Sequence, residues 1–376
     1  MAAEEGIRGG RKLAMPTFIP GLQLSEAFYT EAVRPILDAH FPGLEHAAAL
    51  IGWGSDVLGY DTLISTDHHW GPRLLLFLPE ADFEVNKATV SEALSGRLPY
   101  TFRGYSTNFG TPDQIGVRLL KEVESGPVQH MVEIFTVRDF FEWYLGLDPR
   151  GEISAADWLT CSEHRLLGAT SGKVFHDGPG ELSAAREQIA YYPPELWMYM
   201  LASQWAKIAQ EEAFVGRTGD VGDERGSRLI AARLVQYLMR LCFLVERRYA
   251  PYSKWFGTGF SRLRCASTLG PALDGVLAAS SWQEREGHLS EAYRIVAGLH
   301  NDLGVTGPLD AEVRSYHGRP YMVIFAERFV EAIREAISSE EVKALPPNIG
   351  SASQFVDSTD LLEHAEVRRR LRGVYE

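Results

Sequence analysis

Several features that mark special protein classes are scarce in this sequence. Only three of its 376 residues are cysteines, Cys161, Cys242 and Cys265, and none forms a C-x-x-C pair. So few isolated thiols exclude a disulfide-stapled fold and favour a reducing, cytoplasmic compartment. The longest run of purely aliphatic and aromatic side chains is residues 74–78, whereas a membrane helix needs about 20 apolar residues. No membrane span is predicted, and residues 1–21 lack the apolar core of a secretory signal.

Basic side chains are also in short supply. The chain has 37 Lys and Arg against 50 Asp and Glu, a formal charge of −13 at pH 7. Such a surface repels a phosphate backbone, so extended nucleic-acid binding is not expected, although a local basic cleft can hold a nucleotide. The remaining composition, 45% hydrophobic and 23% charged, is that of an ordinary globular protein. Nothing in it predicts the oligomeric state.

The pattern of apolar residues changes near residue 150. Short, alternating runs typical of strands precede that point, and helical periods follow it. The predicted strands are residues 47–51, 73–78, 100–105, 115–123 and 129–136, after a helix starting at Ser25, and the main predicted helices are residues 194–210, 227–249, 282–300, 321–337 and 360–371. We therefore predict an α+β fold, with a flexible tail (1–20), a small mixed-sheet domain (21–150) and an all-helical bundle domain (151–376).

The most informative segment follows the first predicted strand. Gly54 and Ser55 form a loop of small residues, whose N–H groups and hydroxyl can approach a phosphate closely. Asp67 comes twelve residues after Ser55, followed by His68 and His69, just before the next strand. Side chains two residues apart in a strand point to the same side. An Asp-x-acid pair placed in this way at a strand edge can hold Mg²⁺ against a triphosphate. The segment predicts a nucleotide site with a metal ion.

This segment resembles the signature of the nucleotidyltransferase superfamily, the polymerase-β-like fold, in which a Gly-Ser pair precedes Asp-x-Asp or Asp-x-Glu. The longer stretch looks like one uncharacterised bacterial branch of that superfamily; it comprises Gly54-Ser55-Asp56, Ser65-Thr66-Asp67-His68 and Trp70-Gly71-Pro72-Arg73. The resemblance is densest over residues 47–78. It is weaker in the helical half, where residues 249–255 are similar to the segment that helical tails of small-molecule nucleotidyltransferases place over the cleft.

The resemblance implies transfer of a nucleoside monophosphate from a nucleoside triphosphate, such as ATP, to a hydroxyl of a small-molecule or other acceptor, with Mg²⁺ or Mn²⁺. It implies that Gly54, Ser55, Arg73 and Lys254 contact the nucleotide. The superfamily also uses a third carboxylate on a later strand, and Glu133 is the best local match because it lies opposite the face of Val132 and Ile134. The metal ligands would be Asp67, His69 and Glu133, and the catalytic residues Asp67 and Glu133.

One departure from the pattern is that His69 stands where the second acid is expected. A neutral imidazole is a poorer Mg²⁺ ligand than a carboxylate and suits softer metals. Three outcomes follow: a preference for Mn²⁺ or another transition metal, completion of the site by another acid such as Asp56 or Asp61, or a non-catalytic nucleotide-binding or regulatory module.

Each candidate also has a purely structural interpretation. Gly54-Ser55 can be an ordinary turn, Asp67 a turn or cap acid, Arg73 a partner in a surface ion pair and Lys254 a lysine packed on aromatic rings. Glu133 can be a solvated residue of an edge strand, with Asp139 as the next candidate.

A third functional class is a toxin-system protein with a helical-domain ribonuclease. Its weak signature, an arginine followed several residues later by a histidine, fits Arg294 and His300, but also Arg34 and His40 in the other predicted domain. The pattern arises easily, and the acidic charge disfavours RNA.

Overall fold

The computed structural model describes residues 17–66, 69–114 and 116–376. Backbone contacts divide the chain into two compact units. The first contains the described residues up to Val137 together with Ser171–Ser183, and the second contains Arg138–Thr170 and Ala184–Glu376. A mixed sheet precedes a largely helical region, which confirms the predicted α+β class. Compact units and domains need not coincide, so the domain bounds 21–150 and 151–376 stay predictions; of the predicted tail, only residues 17–20 are described.

The first unit contains a four-stranded sheet. Its strands, with a separate short hairpin, are β1 (Ala47–Leu50), β2 (Arg73–Phe77), β3 (Thr101–Phe102), β4 (Tyr105–Ser106), β5 (Met131–Phe135) and β6 (Lys173–Asp177). The sheet order is β5-β2-β1-β6, with β2 and β5 parallel and the other neighbours antiparallel. The strands predicted at 47–51, 73–78 and 129–136 are confirmed, whereas β3 and β4 form the hairpin where one strand was predicted at 100–105.

The strand predicted at 115–123 is not formed over its described part. Ile115 lies outside the described residues, and residues 116–123 form a loop with one isolated bridge, between Leu120 and Phe109. The chain turns within this loop, where the Asp113 carboxylate accepts the Val117 N–H at 2.8 Å and Gly116 has a φ of +86°. Separate backbone hydrogen bonds, from Gly110 to Leu119 and from Lys121 to Asn108, join the segments on its two sides.

Helices cover one face of the sheet. They are α1 (Gly21–Phe28), a π-helical turn (Tyr29–Val33), α2 (Arg34–His40) and α3 (Glu80–Arg97). Their buried apolar residues pack with Ala48, Leu74, Leu76, Val132 and Ile134 of the sheet. Since strand side chains alternate, the opposite face carries Arg73, Leu75 and Glu133. The predicted orientation of β5 is therefore confirmed.

The first helix begins at Gly21, earlier than the Ser25 start expected from its capping side chain. Ser25 is fully buried inside α1. The Asp61 carboxylate accepts the Gly21 N–H at 2.7 Å and so replaces a local cap. A first-turn N–H bound by a carboxylate satisfies the exposed helix end as a capping serine would.

Beyond β5 the chain is largely helical. The remaining elements are α4 (Val137–Leu145), α5 (Ala155–Thr160), α6 (Glu163–Thr170), α7 (Glu181–Gln188), α8 (Pro194–Glu211), α9 (Phe214–Asp220), α10 (Glu224–Val245), α11 (Ser253–Phe260), α12 (Ala266–Ala278), α13 (Trp282–Leu303), β7 (Arg314–Ser315), β8 (Met322–Val323), α14 (Glu327–Ala336), α15 (Glu340–Ala344), α16 (Ala352–Phe355), α17 (Thr359–Glu363) and α18 (Ala365–Arg368). In the described part of the chain, no helix has the length and apolar composition needed to cross a membrane. All three cysteines are free and buried.

The long predicted helices are confirmed as α8, α10 and α13, but the one predicted at 321–337 starts late. Residues 322–323 form β8, and α14 begins at Glu327. The cause is Glu212, whose carboxylate accepts the N–H groups of Ile324, Phe325 and Ala326 at 2.8–3.1 Å. The helix predicted at 360–371 is divided into α17, α18 and a 3-10 turn.

Candidate active site

The loop after β1 is anchored by a buried ion pair. Arg73, the first residue of β2, donates to both carboxylate oxygens of Asp56, with Nη2 2.8 Å from Oδ1 and Nε 3.2 Å from Oδ2. It also donates to the Trp53 carbonyl at 3.0 Å. Arg73 is 3% exposed and Asp56 is 2% exposed. The pair therefore holds residues 53–56 against the start of β2, and the role predicted for Arg73 at the nucleotide stays a prediction.

Gly54 lies where no other residue fits. Its φ is +121°, and a Cβ atom there would stand 2.1 Å from Asp56 Oδ1 and 2.6 Å from Arg73 Nη2. Gly54 is nevertheless exposed to solvent and Ser55 is half-buried. Packing alone thus explains why a glycine occupies this position, while the Gly54 backbone remains accessible to a ligand.

We expect Gly54→Ala to destabilise the protein by about 1–3 kcal/mol, because it combines left-handed strain with displacement of the ion pair. Urea unfolding followed by circular dichroism measures the change. The matched control is Gly43→Ala, where φ is +84° but nothing lies within 4 Å. Equal losses in the two variants would show that the close approach at Gly54 is unimportant.

The two acids that might have replaced a missing metal ligand are both engaged. Asp56 binds Arg73 with both oxygens. Asp61 Oδ2 accepts from the Gly21 N–H at 2.7 Å and from Trp70 Nε1 at 3.1 Å. Both acids therefore connect the loop to its surroundings.

Glu133 lies beside this ion pair. It is paired with Leu75 across the parallel strands β5 and β2, so it shares a sheet face with Arg73. It is half-buried. Burial raises the pKa of its carboxyl group above the ordinary value, and the nearby Arg73 and Arg118 guanidinium groups oppose that rise. A carboxylate with a raised pKa is suited to accept a proton near neutral pH.

Arg118 lies close enough to Glu133 to affect its pKa, but no sequence pattern singled it out. It lies in the loop where a strand was predicted, and its guanidinium donates to the carbonyls of Gly110 at 3.0 Å and Gln129 at 3.3 Å. Its own carbonyl accepts the His69 N–H at 3.3 Å. The arginine therefore connects His69, which is half-buried with a φ of +49°, to the surroundings of Glu133.

Asp67 and His68 lie outside the described residues. Over residues 17–66, 69–114 and 116–376, no group of three His, Cys, Asp or Glu side chains is arranged to hold a metal ion. Of the predicted ligands, only His69 and Glu133 are described. The metal site therefore stays a prediction that depends on Asp67.

Lys254 belongs to the second unit. It lies in the first turn of α11, is exposed, and places its Nζ 5.0 Å from the centre of the Trp255 ring. This packing agrees with the structural interpretation of the lysine, and contact with a nucleotide stays a prediction.

His300, the histidine of the ribonuclease pattern, is fully buried. Its ring packs edge-on against Trp205 and Phe329, and burial lowers its pKa to about 4. A neutral histidine inside the core cannot reach an RNA strand as acid or base, so this hypothesis has no structural support.

Residues 158–256, less than half of the chain, match a family model described as "Domain of unknown function (DUF4037)". No curated protein matches the chain. Among solved structures, a nucleotidyltransferase-like protein from Exiguobacterium sibiricum 255-15 is similar over 79% of this chain and 82% of its own, at 10% identity and a TM-score of 0.31. That score is too low to carry an inference about activity.

Proposed function

We propose that the chain is a metal-dependent nucleotidyltransferase that moves a nucleoside monophosphate from a nucleoside triphosphate, with ATP the first donor to test, to an acceptor hydroxyl. The observation that carries this proposal is the position of Glu133, on the strand next to β2 and on the same face as Arg73. Arg73 anchors the Gly54–Asp56 loop, so the loop and the candidate base belong to one side of the sheet. This agrees with the motif resemblance over residues 47–78.

The chain's own residues would contribute to the reaction mainly by positioning the reactants. The exposed backbone at Gly54 and the half-buried Ser55 would orient the phosphates. As the oxygen of the acceptor hydroxyl attacks the α-phosphorus, Glu133 would take the proton from that hydroxyl. A new P–O bond forms, the bond to pyrophosphate breaks, and pyrophosphate leaves with the electron pair. Phosphoryl-group chemistry needs orientation and charge neutralisation more than covalent groups.

A divalent ion, Mg²⁺ or Mn²⁺, would neutralise the triphosphate when bound. Asp67 and His69 are the residues proposed to hold it, and Glu133 would complete the metal shell in the alternative in which it does not take the proton. An imidazole in this set favours Mn²⁺ over Mg²⁺.

A second candidate is a non-catalytic nucleotide-binding module. The observation that favours it is the engagement of Asp56 and Asp61 in structural contacts, which removes two acids that might have completed a catalytic metal site. A module of this kind would bind ATP without turning it over.

An assay of pyrophosphate release distinguishes the transferase from the binding module. The full chain is incubated with ATP and a bacterial small-molecule extract that supplies acceptors, with Mg²⁺, Mn²⁺ or a chelator. We expect release that requires metal, is faster with Mn²⁺, and is lost in Asp67→Asn, with Asp38→Asn, an exposed acid in the same unit, as the control. ATP binding by calorimetry without metal and without release would support the binding module and overturn the transferase.

A further inference from the structure

The second unit contains a cavity of about 300 Å³ that the proposed reaction does not use. Its wall combines residues of α6, α10 and α11 with the segment around α16 and α17. Apolar side chains supply much of the surface, among them Val235, Met239 and Phe256. Leu277, 58% exposed, stands at the mouth. A volume of this order holds a small organic molecule.

Three consecutive residues that line this cavity carry buried polar atoms without a hydrogen-bond partner. Ser162, Glu163 and His164 all line it. Among the described residues, Ser162 Oγ, Glu163 Oε1 and His164 Nδ1 are buried and have no hydrogen-bond partner. Because buried polar groups in folded proteins are nearly always hydrogen-bonded, three adjacent exceptions need an explanation.

Of the three residues, Glu163 is the one that buries a carboxyl group. Its side chain is 2% exposed, and its Oε2 accepts a hydrogen bond from Arg240. Burial raises the pKa of its carboxyl group, while Arg240 and, least of all, the nearby Ala250 N–H oppose the rise. No hydrogen bond of ordinary geometry reaches Oε1. The arginine thus satisfies one oxygen, and the carboxylate contributes negative charge at the cavity wall.

The charges around the cavity favour a cation. Three carboxylates line it, those of Glu163, Asp357 and Glu363, against one guanidinium, that of Arg240. Arg165 offsets part of this excess by pairing with Glu363. Burial lowers the pKa of His164, so its ring adds no positive charge at neutral pH. A ligand that carries a positive charge and hydrogen-bond donors would complement this wall.

We propose that this cavity binds a small organic amine as its ammonium ion, with the ammonium group attracted by the carboxylates of Glu163, Asp357 and Glu363 and the apolar body packed against Val235, Met239 and Phe256. The proposal concerns the second unit alone and does not depend on nucleotidyl transfer.

Three probes with one apolar body and different head groups test the charge: 2-phenylethylamine, 2-phenylethanol and 3-phenylpropanoate. Binding to the full chain is measured by saturation-transfer NMR titration. We expect the amine to bind at least about tenfold more tightly than the alcohol, and the carboxylate to bind more weakly still. Glu163→Gln keeps the shape and an acceptor for Arg240, and we expect it to lose the preference for the amine.

The matched control is Glu211→Gln, because Glu211 also pairs with an arginine, Arg233, at 2.7 Å but does not line the cavity. Should Glu163→Gln fail to fold, Leu277→Trp narrows the mouth without touching the buried pair, and we expect it to weaken amine binding. Equal affinity for the amine and the alcohol, unchanged binding in a folded Glu163→Gln or Leu277→Trp variant, or no binding of any probe at millimolar concentration overturns the proposal.

Discussion

Replacement of Asp56 by asparagine is expected to lower the free energy of unfolding by about 3–5 kcal/mol, because it removes one partner of a buried ion pair and leaves the other charge uncompensated. Arg73 would keep its charge at 3% exposure, and among the described residues its remaining acceptors would be the Trp53 carbonyl and the new amide oxygen. The loss should be visible in urea unfolding and as a lower melting temperature.

Two further variants make the result specific. Asp38→Asn breaks an ion pair with Arg34 in the same unit, but both side chains are exposed, at 65% and 49%, so we expect about 0.5 kcal/mol or less. Asp56→Leu combined with Arg73→Met replaces both charges and should recover much of the lost stability, since apolar pairs often substitute well for buried ion pairs. A loss in Asp56→Asn no larger than that in Asp38→Asn would contradict a structural role for the pair.

Replacement of Glu133 by glutamine is expected to lower kcat/KM for pyrophosphate release by about 10²- to 10⁴-fold, the usual contribution of a positioned general base. Because the amide keeps the size of the side chain, ATP binding measured by calorimetry should persist. Glu124→Gln, at an exposed position of the same unit, is the control and should leave activity unchanged. Retention of full activity by a folded Glu133→Gln variant would remove Glu133 from the mechanism.

The pH dependence of release follows from the environment of Glu133. A general base works in its deprotonated form, and burial raises its pKa above 4.5, so activity should fall with decreasing pH at a value above that of an ordinary glutamate. Arg118 lowers the pKa of this carboxyl group. Arg118→Gln should therefore move the acidic limb of kcat/KM to higher pH. A shift to lower pH, or none, would argue against Glu133 as the titrating base.

Local pattern was enough to predict the part of the fold that carries the site. Continuous apolar runs predicted β1 and β2, and the alternation around Glu133 predicted which way it faces in β5, because burial of one sheet face constrains every second residue. Gly54 stood out as a small residue whose backbone a phosphate could approach, and the crowding by Asp56 and Arg73 became visible only in the structure.

Long-range partners could not be predicted in this way. Nothing in the spacing of Asp56 and Arg73 indicates that they bind each other, so the first appeared as a spare metal ligand and the second as a phosphate contact. Arg118 was missed because the position of its guanidinium depends on carbonyls of residues 110 and 129, which are distant in the sequence. Contacts between loops reflect the whole fold, which a single-residue pattern does not encode.

The edge strand β6 has a consequence for biosynthesis. It pairs with β1, yet the ribosome produces it only after the chain has continued through Arg138–Thr170, which belongs to the second unit. During translation one edge of β1 remains without its neighbour for this whole interval, and an open strand edge is a template for aggregation. A fragment cut at residue 150 would keep that open edge permanently, and we expect it to need chaperones or to precipitate.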